Sequence, residues 1–326
     1  MDFTENQSLN NYKEAIEDKL RTVATSSQPA SLYEPIRYAI EAGGKRLRPI
    51  ILLAACEAVG GNPEDALDAG IAVELLHTFT LIHDDIMDAD TWRRARETVH
   101  KKWDTSSAIL AGDAIFVLAY QSLLRTKIKN IKSVIDLFNE GVLGVCEGQA
   151  LDMTLESKSD VSNSEYLEMI EKKTGMMIAM AAGVGAFIGG AKSAEVKKFK
   201  EFGAALGKAF QLQDDYLEIT STRILMGKSL GSDLAKGKKT FLLINAFKLG
   251  SEEQIEELSS ILDKNEVTTT DIKRVREIFE ECGVLELTKK QIEKNISNSR
   301  SLLDFIELEK RQTLLQLIDL VHSREK

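Results

Sequence analysis

Proline is confined to the start of this chain. All 4 prolines (Pro29, Pro35, Pro49 and Pro63) precede Glu64, and the rest of the 326 residues contain none. Proline removes a backbone donor and clashes with the preceding turn of a helix. A long proline-free stretch rich in Ala, Leu, Glu and Lys can therefore stay helical throughout. No segment alternates apolar and polar β-branched residues over a strand's length, so the chain reads as all-α.

Periodicity and caps place the helices at Asn11–Val23, Pro35–Ala42, Pro49–Val59, Asp65–Asp88, Thr105 to Leu123, and Ile131–Glu156. Ser162 and Glu165 form a capping box that opens the next helix. The uncharged run Met176–Ala191 is shorter than the ~20 residues of a membrane span, and its small residues suit a buried helix approached closely by its neighbours. Ala194–Ile219 follows, then Thr240–Lys248, Ser251–Asp263, Thr270–Glu281, Leu285–Leu303 and Lys310–His322. Long irregular pieces remain at Ala89–Asp104, Ser157–Asn163 and Thr220–Lys239; such loops in a compact chain are usually functional. No linker, repeat or low-complexity segment interrupts the pattern, so residues 1–326 are expected to form one domain.

Two stretches carry the chemistry. In Leu75–His100 an apolar helix ends on Asp84, Asp85 and Asp88, followed by Arg93 and Arg94. Asp84 and Asp88 are one turn apart and share a face. Their mutual repulsion adds to the negative end of the helix dipole, which points to a bound cation. Hard oxygen ligands suit Mg²⁺, which shares its shell with phosphate oxygens. Asp214, Asp215 and Glu218 repeat the same spacing after a second apolar helix. Two matching clusters suggest carboxylates that face each other across a cavity with metal between them.

A metal-bound polyanion needs basic groups, and the chain as a whole is acidic, with a net charge of −9. That balance excludes general nucleic-acid binding, so the basic groups must be local. They are: Gly43-Gly44-Lys45-Arg46-Leu47-Arg48-Pro49 between two helices, Arg93-Arg94 after the first acid cluster, and Lys228, Lys236, Lys238 and Lys239 after the second. The 3 cysteines are odd in number with no CxxC, which fits a reducing compartment and no zinc site. The first residues show no basic-then-apolar leader, so a cytoplasmic location without stable membrane insertion is expected.

The ordered set GGKRLRP (43–49), ELLH (74–77), LIHDDIMD (81–88), RR (93–94), LAGD (110–113), EGQALD (147–152), KTG (173–175), FQLQDD (210–215), GK (227–228) and SDLAKGKKT (232–240) resembles the trans-isoprenyl diphosphate synthase, or polyprenyl synthetase, family. The resemblance implies a bundle of about ten or more helices around a deep central cavity. It implies head-to-tail condensation of isopentenyl diphosphate with an allylic diphosphate (dimethylallyl, geranyl or farnesyl), and a homodimer. By the same resemblance Asp84, Asp88 and Asp214 hold a cluster of about three Mg²⁺ per site with substrate bound. Asp85 and Asp215 are ligands or stand behind them, and Glu218 stands where most members have Asp. Arg93, Lys228 and Lys238 clamp the allylic diphosphate. Lys45, Arg48, His77 and Arg94 hold the isopentenyl diphosphate without metal. Lys173, Thr174 and Gln211 stand beside the nascent cation.

Product length follows from a ruler along the helix. Phe79 lies five residues before Asp84, about 7.5 Å deeper at 1.5 Å per residue, with the small Thr80 beside it. An aromatic at that position resembles the archaeal geranylgeranyl diphosphate synthases, with farnesyl diphosphate as the alternative product. A non-catalytic partner subunit of the same family and a class I terpene cyclase are the other readings. The cyclase lacks support, because its Asn-Ser-Glu-type second metal motif is nowhere in the chain. The chain departs from the family where Gly and then Pro usually follow the arginine pair. Here these are Ala95 and Glu97, with the bulky Trp92 before them. If the glycine needs positive φ, alanine there costs about 1 kcal/mol or more.

Overall fold

The computed structural model describes residues 7–221, 234, 237–264 and 267–324. It is all-α, with a single two-stranded hairpin among the described residues. The first half comprises α1 (Gln7–Arg21), α2 (Ala30–Ile40), α3 (Leu47–Ala58), α4 (Pro63–Met87), the strands β1 (Trp92–Arg93) and β2 (Arg96–Glu97), the short α5 (Val99–Lys102), α6 (Thr105–Leu123) and α7 (Ile131–Ser157). Then come α8 (Asn163–Ile170), a π-helical turn (Glu171–Gly175), α9 (Met176–Ile188) and α10 (Ser193–Thr220). The remainder is α11 (Phe241–Leu249), α12 (Glu252–Leu262), α13 (Thr269–Glu281), α14 (Val284–Ser301) and α15 (Gln312–His322).

The long helices α3, α4, α7, α9 and α10 pack around a main hydrophobic core. The uncharged run forms α9, and nearly every side chain on it is buried. Its glycines let backbones meet. A Cβ on Gly185 would overlap the carbonyl oxygen of Leu52 in α3. From α10, a Cβ on Gly203 would lie 2.6 Å from Ala179 Cα, and one on Gly207 would lie 2.5 Å from Gly175 Cα. A second, smaller core joins the end of α10 to α11, α12, α13 and α14 through Ile219, Leu242, Leu258, Val275, Phe279 and Val284.

The capping box of Ser162 and Glu165 forms as expected from the sequence. Three local features differ from that reading. Helix α2 starts at Ala30 and carries Pro35 inside it, because burial of Pro35 and Ile36 outweighs the one lost hydrogen bond. The segment after the first acid cluster is a hairpin, with Trp92 opposite Glu97 and Arg93 opposite Arg96. Its turn residues Arg94 (φ 52°) and Ala95 (φ 58°) both adopt the left-handed conformation, the signature of a two-residue type I′ turn. The third is the π-helical turn at Glu171–Gly175, a distortion that no residue pattern announces and that recurs at functional sites.

Candidate active site

Helix α4 delivers most of the first half of the site. Its apolar body packs against α3 and α6 and holds its last turn in place, with Asp84 and Asp85 inside the helix and Asp88 at its C-cap. Burial raises the Asp84 carboxyl above its ordinary range, the Lys173 charge opposes that shift, and Asp88 and Asp152 add to it. Asp84, Asp88, Asp152 and Lys173 therefore gather at one end of the bundle. Lys173 comes from the π-helical turn, and its Nζ lies 2.5 Å from Asp152 Oδ2 of α7. That approach requires Gly148, where a Cβ would overlap the Lys173 backbone.

The hairpin sorts its two arginines. Arg93 Nε donates to Asp85 Oδ1 at 2.5 Å, and its Nη2 lies 3.5 Å from Asp90. Arg94, turned the other way by its left-handed backbone, donates from Nη1 to the carbonyl oxygen of Gly43. One side chain is thereby fixed at the acid cluster and the next at the basic loop. Asp85 is buried and bonded to Arg93, so it orients that arginine and stands behind Asp84 and Asp88.

The second cluster divides similarly. Asp215 is buried and accepts from the Tyr166 hydroxyl and, at 3.0 Å, from Gln211 Nε2. Gln211 Oε1 in turn accepts from Thr174 Oγ1 at 2.9 Å. Asp214 turns towards the basic loop. Burial raises its carboxyl, while Arg324, Lys45 and Arg48 pull it down. Glu218 lines a narrow void with Asp215, Lys238 and Thr240. Lys238 Nζ lies 3.4 Å from Asp88 Oδ2, so it joins the ends of the two acidic helices. Lys228 lies outside the described residues.

The donor chemistry fits Mg²⁺: Asp84, Asp88 and Asp214 offer hard oxygens, and the crowding at Asp84 favours a cation. Among the described residues, no three acidic, His or Cys groups converge on one point. Mg²⁺ ordinarily takes one or two carboxylates and completes its shell with phosphate oxygens.

Beside the acids lies a basic pocket, whose nearest carboxylates are Asp214 and Glu74, the latter bonded to Arg46. Arg48 Nη1 lies 3.2 Å from His77 Nε2. Burial and the neighbouring guanidinium groups, Arg48 first, hold the His77 imidazole far below its usual range. It is therefore neutral and accepts from Arg48. Burial likewise lowers Lys45, Arg48 and Arg94, and Arg48 Nε is buried with no hydrogen-bond partner. A half-buried guanidinium with an unspent donor is ready for an anion with matching fork geometry.

Two residues here escaped the sequence reading. Arg46, apparently one of three equivalent basic residues in the loop, is only 3% exposed. It donates to Glu74 at 2.6 Å and to Glu17 at 2.7 Å; a lone Glu74 in an apolar helix was the available signal. Arg324 lies 2.5 Å from Asp214, and its carbonyl accepts from Gln213 Nε2 at 2.8 Å. Its guanidinium sits 4.6 Å from the Phe210 ring centroid. Nothing in the local sequence marks Arg324.

Phe79 is half-buried and faces α6. Its ring centroid lies 5.1 Å from Phe116 and 4.6 Å from His83. Phe116 contacts Tyr120 at 5.2 Å, and Tyr120 contacts Phe138 at 5.4 Å, so an aromatic column runs from α4 through α6 to α7. Thr80, one turn below Asp84, donates to the His77 carbonyl oxygen at 2.9 Å.

A family model described as Polyprenyl synthetase matches residues 29–280. The chain is 40% identical to a geranylgeranyl diphosphate synthase of Methanosarcina mazei, over 92% of this chain and 91% of the relative. It is 38% identical to a short chain isoprenyl diphosphate synthase of Methanothermobacter thermautotrophicus, over 97% and 98%. The crystal structure of geranylgeranyl pyrophosphate synthetase from Pyrococcus horikoshii superposes with a TM-score of 0.91 at 33% identity, covering 99% of this chain and 100% of that one.

Proposed function

This chain belongs to the polyprenyl synthetase family, and from that premise we propose that it is a prenyltransferase that condenses isopentenyl diphosphate with allylic diphosphates to give geranylgeranyl diphosphate. The observation that carries the reading is the pairing of two unlike anion sites. One is bounded by Asp84, Asp88 and Lys238, and the other is the basic pocket of Lys45, Arg48, His77 and Arg94. A reaction that joins two diphosphates needs one to leave and one to stay. Asp84, Asp88 and Asp214 would hold Mg²⁺, about three ions per site with substrate bound, and the metal would supply charge neutralisation to the leaving diphosphate.

The side chains divide the remaining work. Arg93, oriented by Asp85, and Lys238 bind the allylic diphosphate, together with Lys228. Arg48, aligned by the neutral His77, binds the isopentenyl diphosphate with Lys45 and Arg94, and Arg324 closes its edge. The allylic carbon–oxygen bond breaks with its electron pair going to diphosphate. The isopentenyl double bond attacks the cation, and a proton leaves the adjacent carbon. Lys173, Thr174 and Gln211 lie along the path between the two sites, and Tyr166 and Asp215 hold Gln211 in place. The aromatic column below Phe79 sets the floor for the growing chain, and Thr80 leaves room beside it.

The molecule acts as a homodimer and works in the cytoplasm. Helix α6 supports the first statement, since Leu110 (60% exposed), Val117 (54%) and Ile109 form an apolar outer face, while Ala108, Ala111, Gly112, Ile115 and Ala119 fasten the helix to the core. This same helix is long and apolar enough to cross a membrane by length and composition, and its inner face packs on α4 and α2. Three free thiols support the second statement.

The test is turnover by the purified chain. Isopentenyl diphosphate is supplied with dimethylallyl, geranyl or farnesyl diphosphate, with and without Mg²⁺. Metal-dependent formation of a twenty-carbon product is the expected result. Activity that survives chelation removes the metal role, and inactivity relieved only by a second subunit removes the enzymatic reading of the lone chain.

A further inference from the structure

Gln149 is a buried amide with unspent hydrogen-bonding capacity. It is 9% exposed, and neither Oε1 nor Nε2 has a hydrogen-bond partner. Most buried side-chain amides are satisfied, so an orphan of this kind calls for a ligand. Its place on α7 fixes where the amide faces. Gly148 lies against the Lys173 backbone, and Asp152 is bonded to Lys173 Nζ at 2.5 Å. Cys146 and Asp152 both lie close enough to Asp84 to share its field. Three residues span 300° of helix, so Gln149 sits about 60° from each of Cys146 and Asp152, midway between them. It therefore lies on the side of α7 that is turned towards Asp84 on α4 and Lys173 on the π-helical turn.

The neighbouring polar groups are already committed. Gln211 Oε1 accepts from Thr174, Gln211 Nε2 donates to Asp215, and the Lys173 ammonium is paired with Asp152. Gln149 brings to the same side a carbonyl oxygen with both lone pairs free. We propose that Gln149 is a further catalytic residue, whose amide oxygen faces the allylic carbons and stabilises the positive charge that develops as the diphosphate leaves. The inference rests on the condensation reading above. Gln149 makes and breaks no covalent bond. A preorganised dipole of this kind acts only where charge develops, so it lowers the barrier more than it improves binding of the ground state.

The experiment compares two inert probes on the full chain with Mg²⁺. One is an allylic ammonium analogue carrying positive charge at the reacting carbon, bound with inorganic diphosphate. The other is the allylic thiolodiphosphate of equal length, which carries no positive charge at the reacting carbon. The substitution Gln149→Leu is expected to weaken the ammonium analogue about 10- to 100-fold, the range for a hydrogen-bonding group facing a charge. Thiolodiphosphate binding should stay within about twofold. In turnover, kcat falls while KM for the allylic substrate holds. Gln149→Met gives the same comparison if the leucine variant does not fold. Equal weakening of both probes, or no change in either, overturns the proposal. A wild-type chain that binds neither probe overturns the condensation reading itself.

Discussion

Arg46 Nη1 donates to Glu74 Oε1 at 2.6 Å with both side chains almost wholly buried, 28 residues apart in sequence. The pair ties the junction of loop and α3 that presents Lys45 and Arg48 to the helix that presents His77 and Asp84. Arg46 itself adopts the left-handed conformation (φ 51°), which splays the three basic side chains of the loop. Removing one partner of a buried pair leaves an uncompensated charge and costs about 3–5 kcal/mol. Glu74→Gln should lower the stability read by denaturant titration by about that amount and raise KM for isopentenyl diphosphate. A loss below about 1 kcal/mol would show that Glu17 alone satisfies Arg46.

The neutral His77 gives a pH dependence of definite sign. Its folded-state pKa is depressed, by burial first and then by Arg48. Above the unfolded value near 6.5, this group favours neither state. As the pH falls below 6.5, the unfolded chain takes up a proton that the folded chain refuses, so stability is lost towards the depressed folded value. Nitrogen NMR of the imidazole should show His77 neutral at pH 6. The fall in unfolding free energy between pH 7 and 5 should be shallower in His77→Gln. Equal slopes in the two proteins would contradict the assignment.

The hairpin turn carries a measurable strain. Ala95 holds φ at 58°, where a Cβ is unfavourable by roughly 1–2 kcal/mol. Ala95→Gly should therefore raise the melting temperature, equivalent to about 1 kcal/mol, although it removes side-chain atoms. A lower melting temperature would mean that entropy lost from the unfolded chain outweighs the relief of strain.

Gly185 tests the close approach of α9 to α3. Its Cβ would meet the Leu52 backbone carbonyl, which has no rotamer to move. Gly185→Ala should destabilise by about 1–3 kcal/mol, as overpacking does, even though alanine is the better helix former. A neutral result would show that the two helices separate easily.

The aromatic column predicts how the product grows. Phe79→Ala should lengthen the product beyond twenty carbons. Because Phe116 stands directly behind Phe79, the double variant with Phe116→Ala should lengthen it further. Unchanged product distributions in both variants would place the floor elsewhere.

The sequence alone determined the fold class and singled out the residues proposed for the site, because both rest on local patterns. Absence of proline, helical periodicity and capping residues specify helices within a few turns. The repeated carboxylate spacing marks two helix ends that gain from a cation wherever they sit. Tertiary structure decided which of these groups remain available to a ligand. Arg46 and Arg48 read alike in the loop, yet one is consumed by Glu74 and Glu17 while the other keeps a buried donor unpaired. Asp214 and Asp215 are neighbours, yet only Asp215 is bonded to Tyr166 and Gln211. Gln211 was legible as a site residue and proves committed to its neighbours. Gln149, in a motif read without a role, is the amide left unbonded. Pairing and burial arise between segments far apart in the chain, so a charge or an amide acquires its role only once the helices have packed.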